Sequence, residues 1–303
     1  MKKGYLEGKH PGVQFLVLLL WVFVSGIIAL LLSISLGTTI WAKEFILALM
    51  GEEQGSIFYY ANLFLIFFQH LGFFIIPAFL FVYGFHESWA NFFQLKKRPS
   101  LWQWVLIVFL YMFVQYPLAW VYDLNQHIVL PSSLASLEEK LKSMEESAEF
   151  LFNFLAGYPG WEGWVFSFIV IAFLPAFSEE LFFRGTLQRW LQRFMNPWLA
   201  IFIASFVFSF IHFQFYGFFA RFALGFLLGY LYYRTKSLWA TMFFHFINNG
   251  IAFILKRLYE LGKTSLNPDD PTFFTSQPLL LIFMSILFVV TIYLFEKKSV
   301  TVE

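Results

Sequence analysis

The stretch VQFLVLLLWVFVSGIIALLLSISL, Val13–Leu36, carries no charged residue over its whole length. As an α-helix it spans about 36 Å, more than the ~30 Å of a bilayer's hydrocarbon core. Lys2, Lys3, Lys9 and His10 precede it. The run is too long for a signal-peptide core and lacks a small-residue cleavage site, so a retained first helix is expected. Working outward, the same pattern recurs over Ile57–Phe85, Leu101–Tyr122, Gly163–Phe177, Trp198–Phe213, Phe218–Tyr233, Leu238–Leu255 and Leu279–Phe295. The expectation is an all-α, polytopic membrane bundle of about eight spans, forming one membrane domain over 1–303.

Composition agrees. Charged residues make up 13% of the chain and hydrophobic ones 59%, against about 25% charged in a soluble domain. A formal net charge of +1 with no basic stripe excludes a nucleic-acid partner. The absence of cysteine excludes thiolate metal sites, disulfide scaffolds and cysteine nucleophiles.

Positive charge alternates between the connections, as the positive-inside rule requires. Lys96, Lys97 and Arg98 follow the second span, and Arg184, Arg189 and Arg193 the fourth. Arg234 and Lys236 follow the sixth, and Lys297 and Lys298 the eighth. Connections between them are neutral or acidic, with Glu52 and Glu53 in the first. Both termini are therefore expected in the cytoplasm.

Two segments are expected to be interfacial, amphipathic helices. Ser132–Leu151 places Leu134, Leu137, Leu141, Met144, Ala148 and Leu151 on one face, with Glu138, Glu139, Glu145, Glu146 and Glu149 on the other. Ser136 and Glu139 have capping-box spacing. Thr186–Trp198 sets Leu187, Trp190, Leu191 and Phe194 opposite Arg189 and Arg193, a cytoplasmic interfacial pattern. Lys256–Pro278 is expected to be a polar loop, with turn residues from Asn267 to Pro271.

Ionisable side chains inside apolar runs cost about 2.5–3.5 kcal/mol at mid-helix on insertion scales, which makes them functional suspects. Three clusters qualify. In the first, Glu180 and Arg184 are four apart with the acid first, the favourable order for a helical pair. Glu179 points about 100° away, without a local partner, and has the environment of a general base. Pro175, one turn earlier, cannot donate to the carbonyl of Ile171. In the second cluster His212, four after Phe208, has the chemistry to orient water or carry a proton. In the third, His245 and Asn249 share a face and offer donors for a developing oxyanion, with Asn248 a rival. Gly217, Gly225 and Gly229 form a small-residue packing register. Arg221, in the remaining place of that register, reads as a snorkelling cation, and His70 as a core histidine.

These clusters resemble the signature of the CAAX protease and bacteriocin-processing family of intramembrane peptidases, also called Abi or CPBP. That signature is Glu179-Glu180-x-x-x-Arg184, Phe208-x-x-x-His212 and His245-x-x-x-Asn249 in this sequence. The resemblance covers Phe168 to Leu255, the expected catalytic core region. It implies an endopeptidase acting on a membrane-anchored, in some members prenylated, peptide or protein near the membrane surface. Glu179 would activate water with His212, and His245 with Asn249 would form the oxyanion hole. Glu180, Arg184, Phe208 and Asn248 would support them. The implied partners are the substrate and membrane lipid. The short termini resemble prokaryotic members, giving a prokaryotic plasma membrane as the expected location.

Two alternatives stand beside this reading. Glu179, His212 and His245 form a two-histidine, one-carboxylate set of the kind that binds zinc, although the family resemblance favours no cofactor. A non-enzymatic transporter or scaffold, of bacteriocin-immunity type, also uses buried charges.

Overall fold

The computed structural model describes residues 4–51 and 55–299, with side chains to Lys297. Lys2, Lys3, Glu52, Glu53 and the side chain of Lys298 lie outside this range. Helices account for about four-fifths of it, and no strand occurs among the described residues. Among the described residues seven helices are long and apolar enough to cross a membrane. In chain order the main elements are α1 (Pro11–Trp41), α2 (Lys43–Leu49), α3 (Ser56–Tyr83), α4 (Leu101–Gln126) and α5 (Ala135–Gly157). They continue with α6 (Gly160–Leu191), α7 (Pro197–Phe210), α8 (Phe218–Thr235), α9 (Leu238–Glu260) and α10 (Pro278–Ser299). Leu16, Leu20, Phe23 and Leu31 of α1 and Ile282, Phe283 and Val289 of α10 are exposed. Whole apolar faces turned outward suit a chain whose solvent is lipid. The protein is an integral membrane protein.

The expected span Trp198–Phe213 is shorter than read. Asn196 caps Leu199 N at 2.9 Å, Pro197 occupies the first turn, and the helix stops at Phe210. Its 14 residues reach only about 21 Å, and His212 sits in the turn beyond. The expected interfacial helix at 186–198 is instead the last two turns of α6. Thr186, Leu187, Gln188, Trp190 and Leu191 are all buried, because the face opposite the arginines meets protein rather than headgroups. Arg184 is buried too and does not belong to a charged connection.

Two prolines enter long helices by the same device. A π-turn at Leu71–Ile75 precedes Ile76-Pro77, and another at Ile169–Phe173 precedes Leu174-Pro175. The wider turn shifts the hydrogen-bond register, so a missing N–H does not break the helix. A third π-turn, Phe183–Gln188, follows the paired glutamates. The segment carrying Glu179 is therefore bracketed by two irregular turns.

At the other corrected points, α5 begins after a 3-10 turn at Ser132–Leu134 and Ser136 makes no cap. The turn's own backbone bonds occupy the place of the expected capping box. The loop expected from Lys256 starts only at Leu261, because Lys256 and Arg257 are buried within α9. Arg257 donates to the carbonyls of Ala156 and Tyr158, both at 2.8 Å, and of Gly160 at 3.0 Å. One guanidinium thus satisfies carbonyls that the end of α5 leaves orphaned, and fixes the corner from which α6 enters the bundle.

Candidate active site

Helix α6 carries the paired glutamates between α9 and α8, and small residues set the approach. Arg184 Nη2 donates to Gly225 O and Gln188 Nε2 to Gly229 O, both at 2.9 Å. Two polar side chains one turn apart on α6 meet two carbonyls one turn apart on α8. A Cβ at Gly229 would lie 2.8 Å from Gln188 Oε1 and from Ile201 Cγ2, so only glycine permits this contact. The small-residue register is packing, as the sequence indicates.

Glu180 is fully buried. Its Oε1 accepts from Arg184 Nη1 at 2.7 Å and from His245 Nδ1 at 2.9 Å. A carboxylate removed from water is tolerated only with such partners. The bond to His245 leaves Nε2 as that ring's free nitrogen, 4.0 Å from Glu179 Oε2. That separation is too long for a hydrogen bond. Among the described residues Glu179 accepts no hydrogen bond, although it is largely buried. Neighbours in sequence, the two glutamates differ completely in employment.

The ring of Phe208 joins the motifs. The Arg184 guanidinium lies 4.7 Å from its centroid, within cation–π range. The His212 ring lies at 5.1 Å and the His245 ring at 6.1 Å. His212 Nδ1 lies 2.7 Å from Phe208 O. A carbonyl only accepts, so Nδ1 carries the hydrogen and Nε2 keeps the lone pair. Phe213, next in sequence, has φ of 54°, a left-handed conformation uncommon for a bulky residue. It turns the chain sharply after His212.

Asn249 Nδ2 donates to Ile171 O at 3.3 Å, the carbonyl that Pro175 cannot serve. Asn248 Nδ2 in turn donates to Asn249 Oδ1 at 3.2 Å. The asparagines therefore act in series, and one amide hydrogen of Asn249 remains.

These groups line a cavity of about 460 Å³ that contains Glu179, His212, His245, Asn248, Asn249 and Pro175. All four expected catalytic residues are brought together, while Glu180 and Arg184 stay behind the wall. For zinc the three donors named from the sequence are not gathered into one set. No group of three or more His, Asp or Glu side chains placed to hold a metal occurs among the described residues, although the bond from His245 Nδ1 to Glu180 is of the kind that metal-ligating histidines also make.

Sequence reasoning missed three neighbours. Arg221 lines the cavity instead of snorkelling, and Gln214 accepts from its guanidinium at 2.8 Å. His70 lies against the motif helix, its Nδ1 2.7 Å from Ser178 Oγ. Arg221 was signalled by its charge within an apolar run, and His70 by nothing beyond being a lone histidine.

No curated protein and no solved structure matched the chain. Residues 161–251, which hold all three motifs, match the family model described as type II CAAX prenyl endopeptidase Rce1-like.

Proposed function

We propose that the protein is a glutamate-dependent intramembrane endopeptidase in which Glu179 is the general base. One observation carries the reading: Glu180 is consumed by Arg184 and His245, while Glu179 accepts no hydrogen bond among the described residues and lies on the cavity wall beside His212, Asn249 and, at 4.0 Å, His245 Nε2. Glu179 takes a proton from water as its oxygen attacks the scissile carbonyl carbon. The lone pair of His212 Nε2 orients that water. The resulting oxyanion accepts from His245 Nε2 and from the remaining Asn249 amide hydrogen, a two-donor arrangement of the kind that stabilises acyl-transfer intermediates. Collapse breaks the C–N bond, and Glu179 returns the proton to the leaving nitrogen.

His245 gives Nδ1–H to Glu180, so a donor role for Nε2 in the oxyanion step requires the doubly protonated ring.

The substrate class is a membrane-anchored peptide, in keeping with the family of residues 161–251. The test is cleavage of a fluorogenic farnesylated peptide by purified protein in liposomes. Glu179→Gln is expected to lower turnover about 10²–10⁴-fold, and activity is expected to survive a strong chelator. Full cleavage by Glu179→Gln overturns the reading.

The positive-inside pattern further supports cytoplasmic termini. Arg189 bonds the carbonyls of Asn91 and Phe92, Arg234 pairs with Glu296, and Ser237 Oγ donates to Lys97 O. The basic connections thus meet at one end of the bundle. The cavity mouth, beside Tyr122, Phe152 and Gln214, belongs to the opposite end. In this cysteine-free chain, Glu146→Cys is expected to react with an impermeant maleimide added outside cells, and Lys97→Cys only after lysis.

A further inference from the structure

We infer that Arg221 is an anion-recognition residue of the cavity, taking a carboxylate of the peptide substrate. The inference rests on the peptidase reading for the nature of the ligand, and on the following geometry for the site.

Among the described residues Arg221 is the one lysine or arginine lining the cavity that holds Glu179. It also lines an adjoining cavity of about 570 Å³. Tyr122, Phe152 and Gln214 are common to both walls, so the guanidinium stands where the two spaces meet. Its hydrogen bonds go to Gln214 alone, at 2.8 Å to Oε1 and 3.4 Å to the carbonyl. No carboxylate forms an ion pair with it among the described residues. Glu145 and Glu179 face it from beyond that distance, and Glu145 Oε2 accepts instead from Tyr216 N at 3.2 Å.

A guanidinium has five donors in a planar fork suited to a carboxylate. A half-buried arginine held by one neutral side chain has most of that fork unused. Its place is also prepared. Gly217, one turn earlier, would put a Cβ 2.9 Å from Arg221 Nη2, so the glycine leaves the room into which the guanidinium folds. Gly217 does not need a positive φ, and its value is this space.

The carboxylate has two possible sources, the peptide's own terminus or an acidic side chain. Three dansylated apolar pentapeptides separate them: one with a free carboxyl terminus, one amidated, and one amidated with glutamate at the penultimate position. Binding to the full-length protein in nanodiscs is read by fluorescence anisotropy. One carboxylate-bearing peptide is expected to bind wild type about 10- to 100-fold more tightly than the plain amide, the size of a hydrogen bond to a charged group. Preference for the free acid identifies the terminus, and preference for the glutamate peptide identifies the side chain. Arg221→Gln is expected to abolish the preference, so that the three peptides bind it alike. Gly217→Ala, which keeps the charge but displaces the fork, is expected to reduce the preference.

Equal binding of all three peptides by wild type, or absence of binding by any of them, overturns the inference. So does a preference that survives Arg221→Gln. The peptidase reading fails separately: if Glu179→Gln cleaves normally while Arg221→Gln loses the preference, the anion site stands and the assigned base falls.

Discussion

Helices α1 and α6 are nearly equal in length, 31 and 32 residues, and both cross the bundle, yet they handle polar atoms in opposite ways. In α1 the hydroxyls serve mostly their own helix. Ser33 donates to Leu30 O, Thr38 to Ile34 O, and Ser25 to Trp21 O, with a further contact to Gly72 O. In α6 the groups that matter are satisfied across helices: Glu180 by His245, Arg184 by Gly225 O, and Gln188 by Gly229 O. A span whose hydroxyls are mostly satisfied internally can be read, and changed, largely as a local object. A span whose polar groups depend on two other helices cannot, and that dependence leaves room for Glu179 to accept no hydrogen bond.

The sharpest break between the two helices is expected at Glu180. Glu180→Ala strands the buried Arg184 guanidinium and takes the acceptor from His245 Nδ1, and removal of one partner from a buried pair costs about 3–5 kcal/mol. Thermal unfolding in detergent is expected to show this as a large loss of stability, together with loss of activity. Glu179→Gln, one residue away, is expected to remove activity with little change in unfolding temperature. Equal stability losses at both positions would erase the distinction drawn between them.

Smaller effects sharpen the picture. Gly229→Ala forces a Cβ against Gln188 and Ile201, and overpacking of this kind costs about 1–3 kcal/mol. Asn249→Ala leaves Ile171 O without its side-chain donor, an expected loss of about 1–3 kcal/mol for an unsatisfied buried acceptor. It also removes an oxyanion donor, so the loss in kcat should exceed what the stability change accounts for. At the far end of the scale, Leu16→Ala on the outer face of α1 is expected to stay within about 0.5 kcal/mol, because that side chain is largely exposed.

Arg221 shows how a correct rule leads to an incomplete reading. Its four-residue register with Gly217, Gly225 and Gly229 is real, and two of those glycines do pack against α6. The register says which face of α8 the arginine occupies. It says nothing of what stands opposite, and there the bundle opens into the cavity. The expected interfacial helix at 186–198 erred for the same reason. An amphipathic pattern shows that one face is apolar without saying whether lipid or protein covers it.

The sequence by itself determined that this chain lives in a membrane as a bundle of helices, because apolar length and charge placement are set residue by residue. It also determined the Glu180–Arg184 pair, since four residues make one turn, and the three motifs, which are patterns along the chain. Only the tertiary structure decided that Glu180 also holds His245, 65 positions away, and that Asn249 serves the carbonyl Pro175 cannot reach. It also decided that Arg221 faces the cavity rather than the membrane surface. Each of these depends on which helices lie side by side, and a helical period carries no record of its neighbour.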